Sequence, residues 1–176
     1  EHYVNDNFGI DADSVDMLKR NGEDEWNVVS GSNVDFIDMM NFVRGNDLSL
    51  PDNYEYMTTL IDIDEYINYQ VIQVYLGARD WPGNNIKYWK SSVPGHTKWR
   101  WILYDLDHHF KEFFGDIMEE STEEDCGCDW PNPPWSTLLF RSMLENETFR
   151  QKFIARFNLL ANTVFERDRM HAMVDQ

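Results

Sequence analysis

The chain has 176 residues, is 42% hydrophobic and 15% aromatic, and carries seven Trp and eleven Phe. That length suits one domain, residues 1–176, with its own core, and that apolar content excludes a disordered chain despite a formal charge of −17. The acid excess argues against nucleic acid or an anionic membrane as the main partner, and no run approaches the ~18 apolar residues of a membrane span.

The chain opens at Glu1, without Met, inside a helical pattern (EHYVNDNFG) that Asn5 to Gly9 closes. It therefore reads as a piece of something longer. Val15 to Leu18 (VDML) is ambiguous between helix and strand, and the polar stretch Lys19 to Glu25 reads as a loop. Val34, Ile37, Met40 and Val43 stand at helical spacing, and Pro51 opens a further helix ending near Leu60. Asp62 with Glu65 forms a capping box ahead of Ile63, Ile67, Val71, Val74 and Ala78, which share one helix face. Gly77 and the Pro82 turn stop that helix.

A hairpin follows. Ile86 to Trp89 (IKYW) and Trp99 to Tyr104 (WRWILY) are rich in β-branched and aromatic residues, and Pro94-Gly95 turns the chain between them. Ser136 caps a helix carrying Leu138, Leu139, Met143 and Leu144, and a last helix carries Phe149, Phe153, Phe157, Leu160 and Val164. The predicted architecture is mainly α with one small two-stranded β-hairpin.

The turn LGARDWPGNN places a carboxylate, Asp80, and two amides, Asn84 and Asn85, between buried elements. A hairpin brings its ends together, so Asn85, entering it, and Asp105, leaving it, are expected at one mouth beside Asp80. Carboxylate and amide oxygens are hard ligands that suit Mg²⁺, which also keeps room for phosphate oxygens. A further carboxylate there can orient an attacking hydroxyl. Arg79-Asp80, four residues, Asn85, then a hairpin and Asp105 is the order of a protein-kinase catalytic loop and its metal aspartate.

The segments DWPGNNIKYWKS, KWRWILYDLDHHF and WPNPPWSTLLFRSMLENETFRQKFIARF, with the opening FGIDADSVDMLKRNGE, closely resemble the CotH (spore coat protein H) kinase family over nearly the whole chain. The resemblance implies an atypical protein-kinase-like C-lobe and Mg²⁺- and ATP-dependent phosphorylation of serine on coat or cell-surface proteins. Asp80 would be the catalytic-loop aspartate and Asn85 the metal asparagine, with Asn84 the weaker candidate. Asp105 would be the metal aspartate, with Asp107 its neighbour. On a strand, 105 and 107 face the same way, so both are candidate ligands. The resemblance also implies an extracytoplasmic place, at a cell surface or spore coat. The family's nucleotide-binding N-lobe is expected upstream of Glu1. The chain has no Gly-rich phosphate loop, and no strand lysine is evident before the helix.

Other readings compete. Asp80 and Asn84 can be ordinary turn residues. Asp105-Leu106-Asp107 after an apolar strand also occurs in haloacid-dehalogenase phosphatases, but His108 follows it here and the strands do not alternate with helices. His108 and His109 with Cys126 and Cys128 match no standard zinc spacing. Trp81, Trp89, Trp99, Trp101, Trp130 and Trp135 read as packing before a ligand-stacking platform. Glu119 to Asp129 holds six acids and no base, either a solvated loop or a strip attracting Lys- and Arg-rich substrates. Asn146-Glu147-Thr148 is a glycosylation sequon, meaningful only in a secreted eukaryotic protein. A non-catalytic surface or adhesion module with the same fold is the alternative function.

Overall fold

The computed structural model describes residues 2–20, 26–109, 116–125 and 132–175. The order is α1 (His2–Phe8), a short 3-10 turn (Ala12–Ser14), β1 (Val15–Arg20), β2 (Asn27–Ser30), α2 (Val34–Gly45), α3 (Pro51–Leu60) and α4 (Ile63–Leu76). Then come β3 (Ile86–Ser91), β4 (Arg100–Ile102), α5 (Ile117–Thr122), α6 (Pro134–Glu145), α7 (Glu147–Ala161) and α8 (Arg167–Val174). The fold is mainly helical with a small antiparallel sheet.

The expected hairpin is present, but it belongs to a four-stranded sheet in the order β2-β1-β3-β4. β1 pairs with β3 from Val15↔Ser91 to Arg20↔Ile86, and β3 pairs with β4 at Tyr88↔Trp101. The ambiguous VDML is thus a strand, and it runs through Lys19 and Arg20, which the sequence reading placed in a loop. Charged ends hid it: Arg20 is buried between the rings of Trp26, 3.9 Å from its guanidinium carbon, and Trp135, 3.4 Å away. A guanidinium over indole faces is stable in an apolar setting. Lys19 is consequently a strand lysine ahead of the long helix, contrary to expectation.

The sheet buries both faces. Leu18, Ile86, Tyr88 and Trp101 point into the main core, shared with α2, α3, α4, α6 and α7. Val15, Met17, Trp89 and Ile102 point the other way, onto Val4, Phe8 and Ile10 and the ring of Tyr104. Alternation along each strand produces these two sets.

α4 runs through the centre. Asp62 accepts a hydrogen bond from the Glu65 backbone N–H at 3.3 Å, as a cap should. The Glu65 carboxylate does not complete the box; it lies 3.1 Å from the Arg100 guanidinium. Gly77, at φ 67°, ends the helix in the left-handed conformation that glycine adopts without penalty. Two other helices differ in detail. α6 is capped by Pro133 with Pro134 in its first turn, and Ser136 sits inside the helix, donating to the Pro133 carbonyl at 2.7 Å. α7 stops at Ala161, so Val164 leaves the expected stripe and Phe165 replaces it, stacked on Tyr75 at 4.1 Å.

Asn146 links α6 to α7. Its side-chain oxygen caps α7 at the Thr148 and Phe149 amides, and its nitrogen donates to the Leu48 carbonyl at 3.1 Å. It is 4% exposed. A glycan on that nitrogen would displace the hydrogen bond and open the core, so the sequon does not fit a glycosylated folded domain.

Candidate active site

The turn after α4 is built from buried pieces. Ala78 fills the core, Trp81 is 4% exposed, and the Trp81-Pro82 peptide is cis. This packing carries Asp80, 7% exposed, and Asn85, 9% exposed, to one point. The Asn85 amide nitrogen donates to Asp80 Oδ2 at 2.5 Å. Asn85 holds φ 55°, a left-handed conformation that asparagine tolerates better than most residues. The five-residue spacing therefore closes a carboxylate-amide pair, as the sequence suggested. The bond uses the amide nitrogen, so the Asn85 oxygen keeps its capacity as a hard ligand. Asn84 is only partly buried, on the same turn.

Arg79 points away from this pair. Its guanidinium meets Glu120 of α5 at 3.1 Å, which ties the turn to the acidic helix. α5 is itself capped by Asp116, whose carboxylate accepts from the Met118 and Glu119 amides.

Asp105 follows β4. β4 ends at Ile102, and Asp105 lies three residues later in irregular backbone at φ 56°. Strand alternation thus does not relate Asp105 to Asp107, which corrects the expectation that both face one way. Asp107 is 66% exposed and lies 3.7 Å from His108. Burial pushes the Tyr104 hydroxyl up to about 12, and the negative charges of Asp105 and Asp80 both add to that shift. Both carboxylates therefore act on one phenol. The Tyr104 hydroxyl is buried and has no hydrogen-bond partner among the described residues, while the Lys87 ammonium lies 4.2 Å from its ring centroid.

Among the described residues no three His, Cys, Asp or Glu side chains gather closely enough to hold a metal ion by themselves. Mg²⁺ asks for less, because it is held by one or two carboxylates with water and phosphate oxygens completing its shell. Asn85, Asp105 and Asp107 are the side chains that could contribute hard oxygens to such a shell. Cys126, Cys128 and Trp130 lie outside the described residues.

His109 is turned inward, unlike His108. Its Nε2 lies 2.8 Å from Gln73 Oε1, and the Gln73 amide nitrogen donates to the Tyr69 hydroxyl at 3.1 Å. Burial lowers the His109 pKa, opposed by the Leu106 carbonyl and the charges of Asp80 and Asp107. Tyr104, Gln73 and His109 were not singled out for the site from the sequence. The available signal was Gln70 and Gln73 on an otherwise apolar helix: both prove buried, at 4% and 1% exposure. A buried amide needs partners.

The family model described as CotH kinase protein matches residues 4–176. The chain belongs to the CotH kinase family, which places it among kinase-like phosphotransferases. No curated protein and no solved structure matches it.

Proposed function

We propose that this chain carries the catalytic and metal-holding part of a protein kinase that uses Mg²⁺ and ATP to phosphorylate serine on protein substrates at a cell surface or spore coat. The observation that carries the reading is the Asn85–Asp80 hydrogen bond at 2.5 Å, on a turn whose next β-ribbon delivers Asp105. In this reading Asp80 is the base. The serine oxygen bonds the terminal phosphorus of ATP as the bond to ADP breaks, and the serine proton passes to Asp80. Asn85 and Asp105 hold the cation, with Asp107 as an outer ligand. When bound, Mg²⁺ neutralises charge on the phosphates. Asn85 also orients Asp80, so one amide would serve both positions. The acidic helix α5 and the residues after it, Glu119, Glu123, Glu124 and Asp125, favour substrates rich in Lys and Arg.

A second reading, a non-catalytic surface-binding module, is favoured by one observation: Asp105 and Asp107 are both exposed, and no compact metal cluster forms among the described residues.

Calorimetry of Mg-ATP with the chain and with a form extended upstream of Glu1, together with phosphate incorporation into a serine peptide flanked by Lys and Arg, separates the two readings. Asp80→Ala is expected to lower transfer by about 10²–10⁴-fold with nucleotide binding retained. Asp105→Ala is expected to lose metal-dependent nucleotide binding as well. Neither binding nor incorporation by the extended form would leave the binding module standing.

A further inference from the structure

The segment that bears Asp105 has little to hold it. From Leu103 to His109 no residue joins a strand or helix, and Leu103, Asp105, Leu106, Asp107 and His108 are all exposed. Among the described residues, Tyr104 packs onto the small core under the sheet and takes the Lys87 ammonium over its ring, and His109 closes a turn through its backbone N–H to the Leu106 carbonyl at 3.3 Å. The His109 side chain then reaches Gln73, on the last turns of the helix that leads into the Asp80 turn.

The chemistry of this contact is directional. The Gln73 nitrogen is engaged with the Tyr69 hydroxyl, so its oxygen can only accept, and His109 must donate from Nε2. Tyr69 is in turn faced by the side chain of Trp81, one residue past Asp80. The chain His109, Gln73, Tyr69, Trp81 thus runs from just beyond the Asp-Leu-Asp segment, through the buried interior of α4, back to the Asp80 turn. Gln73 also holds that turn by its backbone, accepting the Ala78 N–H at 3.1 Å.

We infer that the His109–Gln73 hydrogen bond is the clasp that holds the Asp105 segment against α4, the helix that leads into the Asp80–Asn85 turn, with His109 a positioning residue. A hydrogen bond to a rigid helix from a short irregular segment fixes a group whose own backbone supplies no ladder, and outer partners of this kind commonly set the affinity of a metal ligand. The inference that metal affinity depends on this clasp rests on the kinase reading; the placement of the segment does not.

The test uses a pair of replacements. A glutamine side chain carries its nitrogen near the position of histidine Nε2, whereas asparagine reaches only the Nδ1 position. His109→Gln should keep the donor and His109→Asn should lose it, with both leaving the helical core intact by thermal melting. Amide hydrogen exchange at position 109, whose N–H bonds the Leu106 carbonyl, is expected in the full chain without nucleotide to speed up at least about 10-fold in His109→Asn and to stay within about 3-fold of the parent in His109→Gln. Mg-ATP titration should show a loss of about 10-fold or more in apparent metal affinity for the first and near-parental affinity for the second. Equal exchange in the two variants overturns the clasp. Different exchange with equal metal affinity overturns its role in placing Asp105. A parent chain that binds no Mg-ATP even when extended upstream would refute the kinase reading, and exchange alone would then decide the clasp.

Discussion

Glu65 shows how one carboxyl can be caught between burial and opposing charges. Its carboxyl is pushed up to about 7, chiefly by burial, with Arg100 pulling down and Asp62 pushing up. Arg100 is shared: it donates to Asp62 at 2.9 Å and lies 3.0 Å from His96 Nδ1. A folded pKa above the ordinary 4.5 means the folded state holds this proton more tightly than the unfolded chain does. Its contribution to stability is fully present below pH 4.5 and is lost as pH rises through about 7. Glu65→Gln, which cannot ionise, should therefore show a smaller fall in melting temperature over that interval than the parent. The difference between the two melting-temperature profiles isolates this group from the other acids. Parallel profiles would mean that Arg100 compensates the carboxylate fully.

At the scale of elements, the joint between α6 and α7 depends on Asn146. One side chain caps a helix with its oxygen and satisfies the Leu48 carbonyl with its nitrogen. Asn146→Ala removes both, and the lost cap alone is worth about 1–2 kcal/mol. The orphaned buried carbonyl adds about 1 kcal/mol or more. Asn146→Asp keeps the cap acceptor but turns a buried carboxylate toward the Leu48 carbonyl, so both variants should have urea midpoints below that of the parent. The helix boundaries themselves were largely legible: α2, α3 and α4 begin and end close to where periodicity, Pro51, Asp62 and Gly77 put them. β1 was not legible, because Lys19 and Arg20 make its end look solvated. Arg20 is buried only because Trp26 and Trp135, far apart in sequence, close over it.

Across the whole molecule, charge dominates long-range behaviour. On the proposed function, a formal charge of −17 and a helix α5 with acids in its first turn would make an encounter with a basic peptide fast and salt-sensitive. Arg79 pairs with Glu120 and Arg141 lies 3.9 Å from Glu124, so the acids expected to steer are Glu119 and Glu123. Changing these two to Gln should weaken a Lys-rich serine peptide several-fold at low salt. The effect should vanish near ~0.5 M salt, where charges are screened within a few ångströms. Peptide affinity by fluorescence anisotropy at the two salt levels checks this; an equal loss at both would point to direct contacts instead of steering.

The sequence by itself determined the family, the helical class and the chemical order of the candidate site: Asp80, four residues, Asn85, a ribbon, Asp105. These are local properties, set by periodicity, turn chemistry and motif spacing. Only the tertiary structure decided that the ribbon is half of a four-stranded sheet and that Asp105 sits in left-handed irregular backbone instead of at a strand end. It also decided that His109 turns inward to Gln73 while His108 faces water. Those outcomes depend on which distant groups share the low-dielectric interior, where a buried amide or guanidinium must find a partner, and a linear pattern does not specify the partner.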